Sequence, residues 1–333
     1  MIRRIALLCV ALGLPAWSQT TINGAGATFP NPIYQKWFSE YHKAHSDVQF
    51  NYQSIGSGGG IRQVLAQTVD FGASDGPMSD EQLSQAKSKI VHIPTVLGAV
   101  VPAYNIPGVT EELKFSPQVL SGIFLGKISS WNDPAIAKDN SGVNLPNQPI
   151  IVVHRSDGSG TTYIFTDYLS KVSPDWANGP GKGTSVKWPV GLGGKGNEGV
   201  AGMVRQMAGS IGYIELIYAV QNKIPYGPVK NSSGALVKAS LESVTAAAAS
   251  VKNMPADYRV SITNAPGKDA YPISSFTWLL IPNPAKDANK GKILVDFVNW
   301  MVDDGQKMTA ELTYAPLPES VATKVKQTVK TLK

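Results

Sequence analysis

Four short glycine-rich segments of this chain each follow an apolar, strand-like run and lead into a segment with helical spacing. They lie at 24–30, 55–60, 71–77 and 155–162. Strands that alternate with helices in this way are typical of parallel or mixed sheets with helices on both faces. In such folds ligands bind beyond the carboxyl ends of the strands, where helices begin. The sequence therefore predicts an α/β protein with four strand-to-helix turns at one binding edge.

The segment Arg-Ser-Asp-Gly-Ser-Gly-Thr-Thr at 155–162 is the most informative of the four. The first N–H groups of a helix have no internal partner, and the helix dipole makes the potential positive there. Arg155 adds paired N–H donors, which match the geometry of a tetrahedral oxyanion. These features predict an anion site at this turn, and a capped turn without a ligand is the alternative interpretation.

The other three turns repeat the pattern. In Gly-Ala-Gly-Ala-Thr-Phe-Pro at 24–30, the proline suits the first helical turn because its missing N–H would be unpaired there. In Ile-Gly-Ser-Gly-Gly-Gly at 55–60, Ser57 is predicted to cap the following helix. The third turn, at 71–77, precedes Ser-Asp-Glu-Gln at 79–82, which has the spacing of a capping box. One such turn is usually structural, but four with a hydroxyl or charged residue favour a shared anion site.

Strand-like and helix-like runs alternate along most of the chain. Strands are predicted at 48–52, 69–73, 91–101, 150–153, 211–213 and 276–281. Helices are predicted at 30–44, 60–68, 80–87, 161–170, 197–207, 241–251, 288–303 and 319–331. The region 179–199 is predicted to be a loop layer. The apolar run at 95–107 and the segment 271–274 are predicted to cross between two domains.

The first 18 residues have the composition of a secretory signal peptide. Arg3 and Arg4 precede an apolar stretch at 5–14, and small residues follow at 16–18. The stretch is too short to span a membrane, and no later run of eighteen apolar residues follows. Cys9, the only cysteine, lies within this segment behind Leu8, which excludes a lipoprotein signal. The mature protein is therefore expected to be exported, soluble and without disulfides.

The composition of the chain limits the kinds of partner that it can bind. The chain has 333 residues and a formal net charge of +6, and 43% of its residues are hydrophobic. This length and composition predict two globular domains. Lysines crowd the C-terminus, but no aromatic residues interleave with a basic stripe, so no nucleic acid is expected as a partner.

The motifs of common catalytic and cofactor sites are absent from the sequence. Gly-Lys at 181–182 and at 194–195 is followed by glycine, whereas a phosphate-binding nucleotide loop needs serine or threonine. Gly-Ser-Gly at 158–160 does not have the spacing of a nucleophile elbow, and the four histidines form no metal pattern. No cofactor, metal or catalytic residue is predicted, and binding is favoured over catalysis.

These motifs, together with Gly-Leu-Gly-Gly-Lys-Gly-Asn at 191–197, resemble those of the periplasmic phosphate-binding proteins of bacterial high-affinity phosphate ABC importers. The resemblance covers the whole mature chain. It implies a type II, Venus-flytrap fold with two crossing strands, in which domain I comprises 19–104 plus 273–333 and domain II comprises 105–272. The partners it implies are inorganic phosphate, with arsenate as a mimic, and an inner-membrane ABC permease complex; the expected state is a monomer.

The resemblance also implies a set of phosphate-binding residues. Asp157 would hold the arginine of that set in place. The implied ligands are Thr28, Phe29, Ser57, Asp75, Arg155, Ser159, Gly160 and Thr161.

Asp75 is the residue that sets the identity of the ligand. A carboxylate suits an anion site only if the ligand carries a proton to donate, as phosphate does near neutral pH and sulfate does not. Buried groups left unpaired by sulfate would give the discrimination. A local turn around Asp75 is the structural alternative. For function, two alternatives remain open: another oxyanion or a phosphorylated small molecule as ligand, and an exported phosphatase-like hydrolase.

Overall fold

The computed structural model describes residues 19–332, and the predicted signal peptide with Cys9 lies outside them. Ten strands lie in the described part: β1 Thr20–Gly26, β2 Val48–Ser54, β3 Phe71–Ser74, β4 Lys89–Asn105, β5 Ile151–Arg155, β6 Leu192–Gly194, β7 Ser210–Glu215, β8 Val229–Lys230, β9 Leu236–Val237 and β10 Ser274–Asn283.

Twelve α-helices lie among the same residues, with two short 3-10 turns at Gly305–Met308 and Ala310–Leu312. The helices are α1 Asn31–Ala44, α2 Ser57–Ala66, α3 Asp80–Ser84, α4 Pro117–Phe124, α5 Pro134–Asp139, α6 Gly160–Val172, α7 Pro174–Asn178, α8 Gly196–Gln206, α9 Leu216–Asn222, α10 Leu241–Ala248, α11 Ala288–Asp303 and α12 Glu319–Val329.

Eight of the strands form one mixed sheet in the order β2-β1-β3-β10-β4-β7-β5-β6. Strand β1 runs parallel to β2 and β3, and β5 runs parallel to β6 and β7. Strand β10 is antiparallel to both of its neighbours, and β4 is antiparallel to β7. The predicted α/β class is confirmed, and the parallel strands place their following turns at common edges of the sheet.

Strand β4 joins two halves of this sheet. Its residues 89–99 pair with β10, and its residues 100–105 pair with β7. We call the strands β1, β2, β3 and β10 with their helices the β10 half, and β5, β6 and β7 with theirs the β7 half. The second predicted crossing differs, because the chain turns at 272–273 and enters β10 only at Ser274. The carbonyl of Ile273 accepts a 2.9 Å bond from Val100 N, which ties this turn to the middle of β4.

An aromatic core holds the β10 half in place. Helix α1 buries Tyr34, Trp37, Phe38 and Tyr41 along one face, which is the pattern of an amphipathic helix. The ring of Phe38 stacks on Phe50 of β2 at a centroid distance of 4.6 Å. Rings that pack in this way contribute both apolar burial and ring-ring attraction. The turn at 24–30 is therefore anchored at the start of a well-packed helix.

Most predicted elements lie where the sequence places them, but several predictions of local structure were wrong. The region 179–199 contains β6 and the start of α8, so it is not only a loop. Helix α3 ends at Ser84 and helix α10 at Ala248, each three residues before the predicted end. Ser57 does not cap α2, because Gly56 occupies the cap with φ 84° and Ser57 begins the helix. The capping box at Ser79 is confirmed, since both of its hydrogen bonds are present.

In residues 19–332 no helix is long and apolar enough to cross a membrane. Across the same residues, no group of three or more histidine, cysteine or carboxylate side chains is arranged to hold a metal ion.

Candidate anion-binding site

Three of the four predicted turns meet where the two halves of the sheet face each other. Gly58 N, at the start of α2, donates a 2.8 Å hydrogen bond to the carbonyl of Gly158. A Cβ placed on Gly160, at the start of α6, would lie 2.4 Å from both Asp75 Oδ2 and Ser57 Oγ. The turns at 55–60, 71–77 and 155–162 therefore touch across the cleft.

The fourth turn reaches the same place through Thr28. The Nδ2 atom of Asn197 donates to Thr28 Oγ1 at 2.8 Å and to Thr161 Oγ1 at 3.0 Å. The neighbouring Phe29 is fully buried, and its carbonyl accepts a 2.6 Å bond from Tyr314 Oη. The structure thus brings all eight predicted ligand residues together, and each of them is buried.

Five of the predicted ligand residues have a backbone N–H group without an acceptor in the protein. Among the described residues, none of these groups donates to a turn, a loop or a side chain. They belong to Thr28, Phe29, Ser57, Gly160 and Thr161. The last three lie in the first turns of α2 and α6, where a helix offers no internal acceptor and the dipole is positive. Such a set of donors is suited to an anion.

Asp75 is the carboxylate of this site, and its two oxygens have different surroundings. Oδ1 accepts a 2.8 Å bond from Thr277 Oγ1 of β10. Oδ2 faces Gly160 and lies 3.5 Å from Ser57 Oγ. Burial raises the pKa of Asp75 to about 7, although the bond from Thr277 and the charge of Arg155 act in the opposite direction. Burial therefore makes this carboxyl easier to protonate than an exposed aspartate.

Arg155 is held rigidly by Asp157. Its Nε donates to Asp157 Oδ1 at 2.8 Å and its Nη2 donates to Oδ2 at 2.5 Å, while Nη1 donates to Thr161 Oγ1 at 3.3 Å. Burial acts to raise the pKa of Asp157, but this ion pair and a bond from Gly196 N leave that pKa below its ordinary value. Since each Nη carries two protons, one N–H on each remains for a ligand.

Ser159 stands at the start of α6 and serves as its cap. Its Oγ accepts a 3.0 Å bond from Thr162 N, which satisfies one of the unpaired donors of the first turn. The hydroxyl proton of Ser159 remains available because this bond uses only a lone pair.

Two buried side chains of the site were missed from the sequence. Asn197 follows the glycine turn before α8, so its position repeats the predicted glycine-rich pattern, but no ligand role was assigned to it. Thr277 lies within the apolar strand β10, where nothing in the local pattern distinguishes it from a core residue. Its contact with Asp75 exists only because β10 pairs with β3.

The similarity to known proteins agrees with this geometry. A family model for the PBP superfamily domain matches residues 15–305. The phosphate-binding protein PstS of Pasteurella multocida (strain Pm70) is 47% identical over 329 residues, which cover 98% of this chain and 94% of that protein. The chain belongs to the PstS family of phosphate-binding proteins.

Two further similarities extend this result. The phosphate-binding protein PstS of Haemophilus influenzae is 47% identical over 320 residues, covering 96% of this chain and 95% of that protein. The solved structure of a phosphate-binding protein from Stenotrophomonas maltophilia has a TM-score of 0.68 and 21% identity, and the match covers 92% of this chain and 93% of that one. The latter likeness confirms the fold, which is that of the type II binding proteins.

Proposed function

We propose that this protein is a periplasmic receptor that captures inorganic phosphate between the two halves of its sheet and delivers it to an ABC permease. The observation that carries the proposal is the meeting of Asp75 with the donors of four turns at one buried place. Donors alone would suit any oxyanion. One acceptor among them selects an oxyanion that still carries a proton, which phosphate does near neutral pH.

The phosphate ligands in this proposal are the eight residues predicted from the sequence. Thr28, Phe29, Ser57 and Asp75 belong to the β10 half, and the other four belong to the β7 half. Phosphate oxygens would accept hydrogen bonds from the buried donors that have no acceptor in the protein. Arsenate could replace phosphate, because it is also tetrahedral and also carries a proton near neutral pH. The members from the β7 half are Arg155, Ser159, Gly160 and Thr161.

Capture in this arrangement requires two domains that close on the ligand. We assign domain I to 19–104 plus 273–333 and domain II to 105–272, joined through β4 and the turn at 272–273. The contacts Gly58–Gly158 and Thr28–Asn197 cross this boundary and belong to the closed form. Opening about β4 and the turn at 272–273 would separate them and release phosphate to the permease. A monomer supplies every residue of the site.

The hydrolase alternative receives no support from Ser159, the side chain it would need as a nucleophile. Its Oγ is bonded to Thr162 N, and among the described residues no histidine is bonded to it. The nearest histidine in sequence, His154, instead directs Nδ1 to the carbonyl of Arg155 at 3.0 Å. An activated nucleophile needs a base within hydrogen-bond reach.

Calorimetry tests the proposed function directly. The protein without residues 1–18 is freed of bound anion by partial unfolding and dialysis, refolded, and titrated with phosphate and then with sulfate. We expect one phosphate per chain and no heat from sulfate. Binding of both anions would refute the role of Asp75, and binding of neither would refute phosphate capture.

A further inference from the structure

Asn197 is a fully buried side chain that contacts both halves of the cleft. Its Oδ1 accepts a 3.0 Å bond from the backbone N–H of Glu215. A backbone N–H can only donate, so this bond settles which end of the amide is the oxygen. The Nδ2 group consequently faces the hydroxyls of Thr28 and Thr161, at 2.8 and 3.0 Å.

These contacts determine the direction of two further hydrogen bonds. A hydroxyl has one proton and two lone pairs. Thr28 Oγ1 accepts from both Nδ2 and the backbone N of Asn197, the latter at 3.2 Å. Thr161 Oγ1 accepts from Asn197 Nδ2 and from Arg155 Nη1. Each oxygen has therefore used both lone pairs, and only its proton is left.

The protons of these two hydroxyls have no acceptor within the protein. Among the described residues, neither Thr28 Oγ1 nor Thr161 Oγ1 donates a hydrogen bond. Both side chains are buried, with exposed fractions of 2% and 0%. A buried hydroxyl proton without an acceptor is costly, so we expect each of these protons to be donated to an oxygen of the ligand.

We propose that Asn197 is a positioning residue that makes Thr28 and Thr161 obligate donors to the bound anion and ties the two halves of the closed cleft together. The inference rests on the proposed function. Because neither threonine can accept a proton from the ligand, the hydroxyl of a protonated phosphate is directed to Asp75. Asn197 thus contributes to the choice of phosphate over sulfate without being one of the predicted ligands.

The first test compares Asn197→Ala with Asn140→Ala. Asn140 is a matched control, because it is 3% exposed and its amide also bonds on both sides, to the backbone of Lys114 and to Ile136 O. Unfolding by urea reports the stability of each variant, and calorimetry reports its phosphate affinity. We expect Asn197→Ala to lose about 100-fold in affinity and Asn140→Ala to stay within about twofold. Equal losses in the two variants would overturn the proposal.

A double-mutant cycle tests whether Asn197 acts by orienting the two threonine hydroxyls or only by packing against its neighbours. The affinity cost of Asn197→Ala is measured again in a Thr28→Val, Thr161→Val protein, which keeps the shapes of both side chains. If Asn197 acts through the two hydroxyls, we expect its cost in that background to fall to a few-fold. An unchanged cost would show that Asn197 acts in some other way and would overturn the proposal.

Asn197→Asp keeps the shape of the side chain and the acceptor for Glu215 N, so it remains informative if Asn197→Ala does not fold. It places a carboxylate acceptor, ionised near neutral pH, against the two hydroxyls, so their protons turn to that carboxylate and away from the ligand. We expect its phosphate affinity at pH 8 to fall by about 100-fold or more. An affinity within about twofold of wild type would contradict the proposal. A wild-type protein that binds no phosphate would instead refute the proposed function.

Discussion

Oδ2 of Asp75 and the first residue of α6, Gly160, face each other so closely that a methyl group on Gly160 would lie 2.4 Å from that oxygen. The two residues come from opposite halves of the sheet. Their proximity places an acceptor beside the unpaired donors of a helix start. In the proposed function, a tetrahedral anion held there presents a proton to Asp75 and unprotonated oxygens to α6. The proposed preference for phosphate over sulfate follows from this arrangement.

Replacement of Asp75 by asparagine should relax that specificity. An amide can donate through Nδ2, so it removes the repulsion between the carboxylate and an unprotonated anion. We expect phosphate affinity to fall by about tenfold and sulfate binding to become measurable, a gain of about 100-fold or more. Calorimetric titration with each anion measures both constants. The exposed Asp269 provides a control through Asp269→Asn, which should change neither. Unaltered rejection of sulfate by Asp75→Asn would favour a purely local role for Asp75.

Asp75 should also make closure of the anion-free protein depend on pH. In the closed structure burial raises its pKa to about 7 against an ordinary 3.8, so the closed form holds an extra proton between these values. Closure without a ligand therefore becomes less favourable as the pH rises from about 4 to about 7, by roughly 4 kcal/mol at most, because an open cleft exposes the carboxyl. Asp75→Asn removes this dependence. We expect small-angle X-ray scattering without anion to show wild type becoming more extended than the variant between pH 4 and pH 8. Parallel pH profiles of the two proteins would contradict the assigned pKa.

Much of this site was predictable because its turns and several of its contacts form between residues that are close in the sequence. Each glycine-rich turn joins a strand to a helix, and Asp157 lies two residues from the arginine that it holds. Contacts such as these depend on neighbours in the sequence. The hydroxyl of Ser57 was misassigned because its direction depends on the backbone of Gly56, which has φ 84° and places Ser57 inside the first turn.

The remaining features depend on tertiary pairing and could not be predicted from local pattern. Thr277 reaches Asp75 only because β10 inserts antiparallel between β3 and β4. Asn197 reaches Thr28 only because the two halves approach each other across the cleft. A sequence pattern describes the face that a residue occupies on its own element, whereas these contacts depend on which elements meet.

Arg155 should not tolerate replacement by lysine. Its guanidinium bonds both oxygens of Asp157 and also Thr161, and its side chain is only 1% exposed. A lysine ammonium cannot make this planar set of bonds and still present two N–H groups to a ligand. We expect Arg155→Lys to lower phosphate affinity by about 100-fold or more. Arg205→Lys, at an exposed position on α8, is the matched control and should bind as wild type does. Wild-type phosphate affinity in Arg155→Lys would show that the planar set of guanidinium bonds is not needed for binding.

Gly160 should be required for closure of the cleft. Alanine in the first turn of α6 keeps the backbone N–H and brings no local penalty, but its methyl group would overlap Asp75 Oδ2 and Ser57 Oγ at 2.4 Å. That overlap exists only when the two halves meet. We therefore expect Gly160→Ala to retain the stability of the anion-free protein while phosphate affinity falls by about 100-fold or more.

Gly202→Ala is the control for this substitution, because a Cβ on Gly202 of α8 would meet no atom within 4 Å. Small-angle X-ray scattering with and without phosphate gives the independent readout. The wild-type protein and Gly202→Ala should become more compact on addition of phosphate, whereas Gly160→Ala should stay extended. If Gly160→Ala bound phosphate as tightly as Gly202→Ala and contracted to the same extent, the close contact between α6 and Asp75 would not be part of the closed, ligand-bound form. The assignment of Asp75 as the acceptor facing α6 would then have to be abandoned.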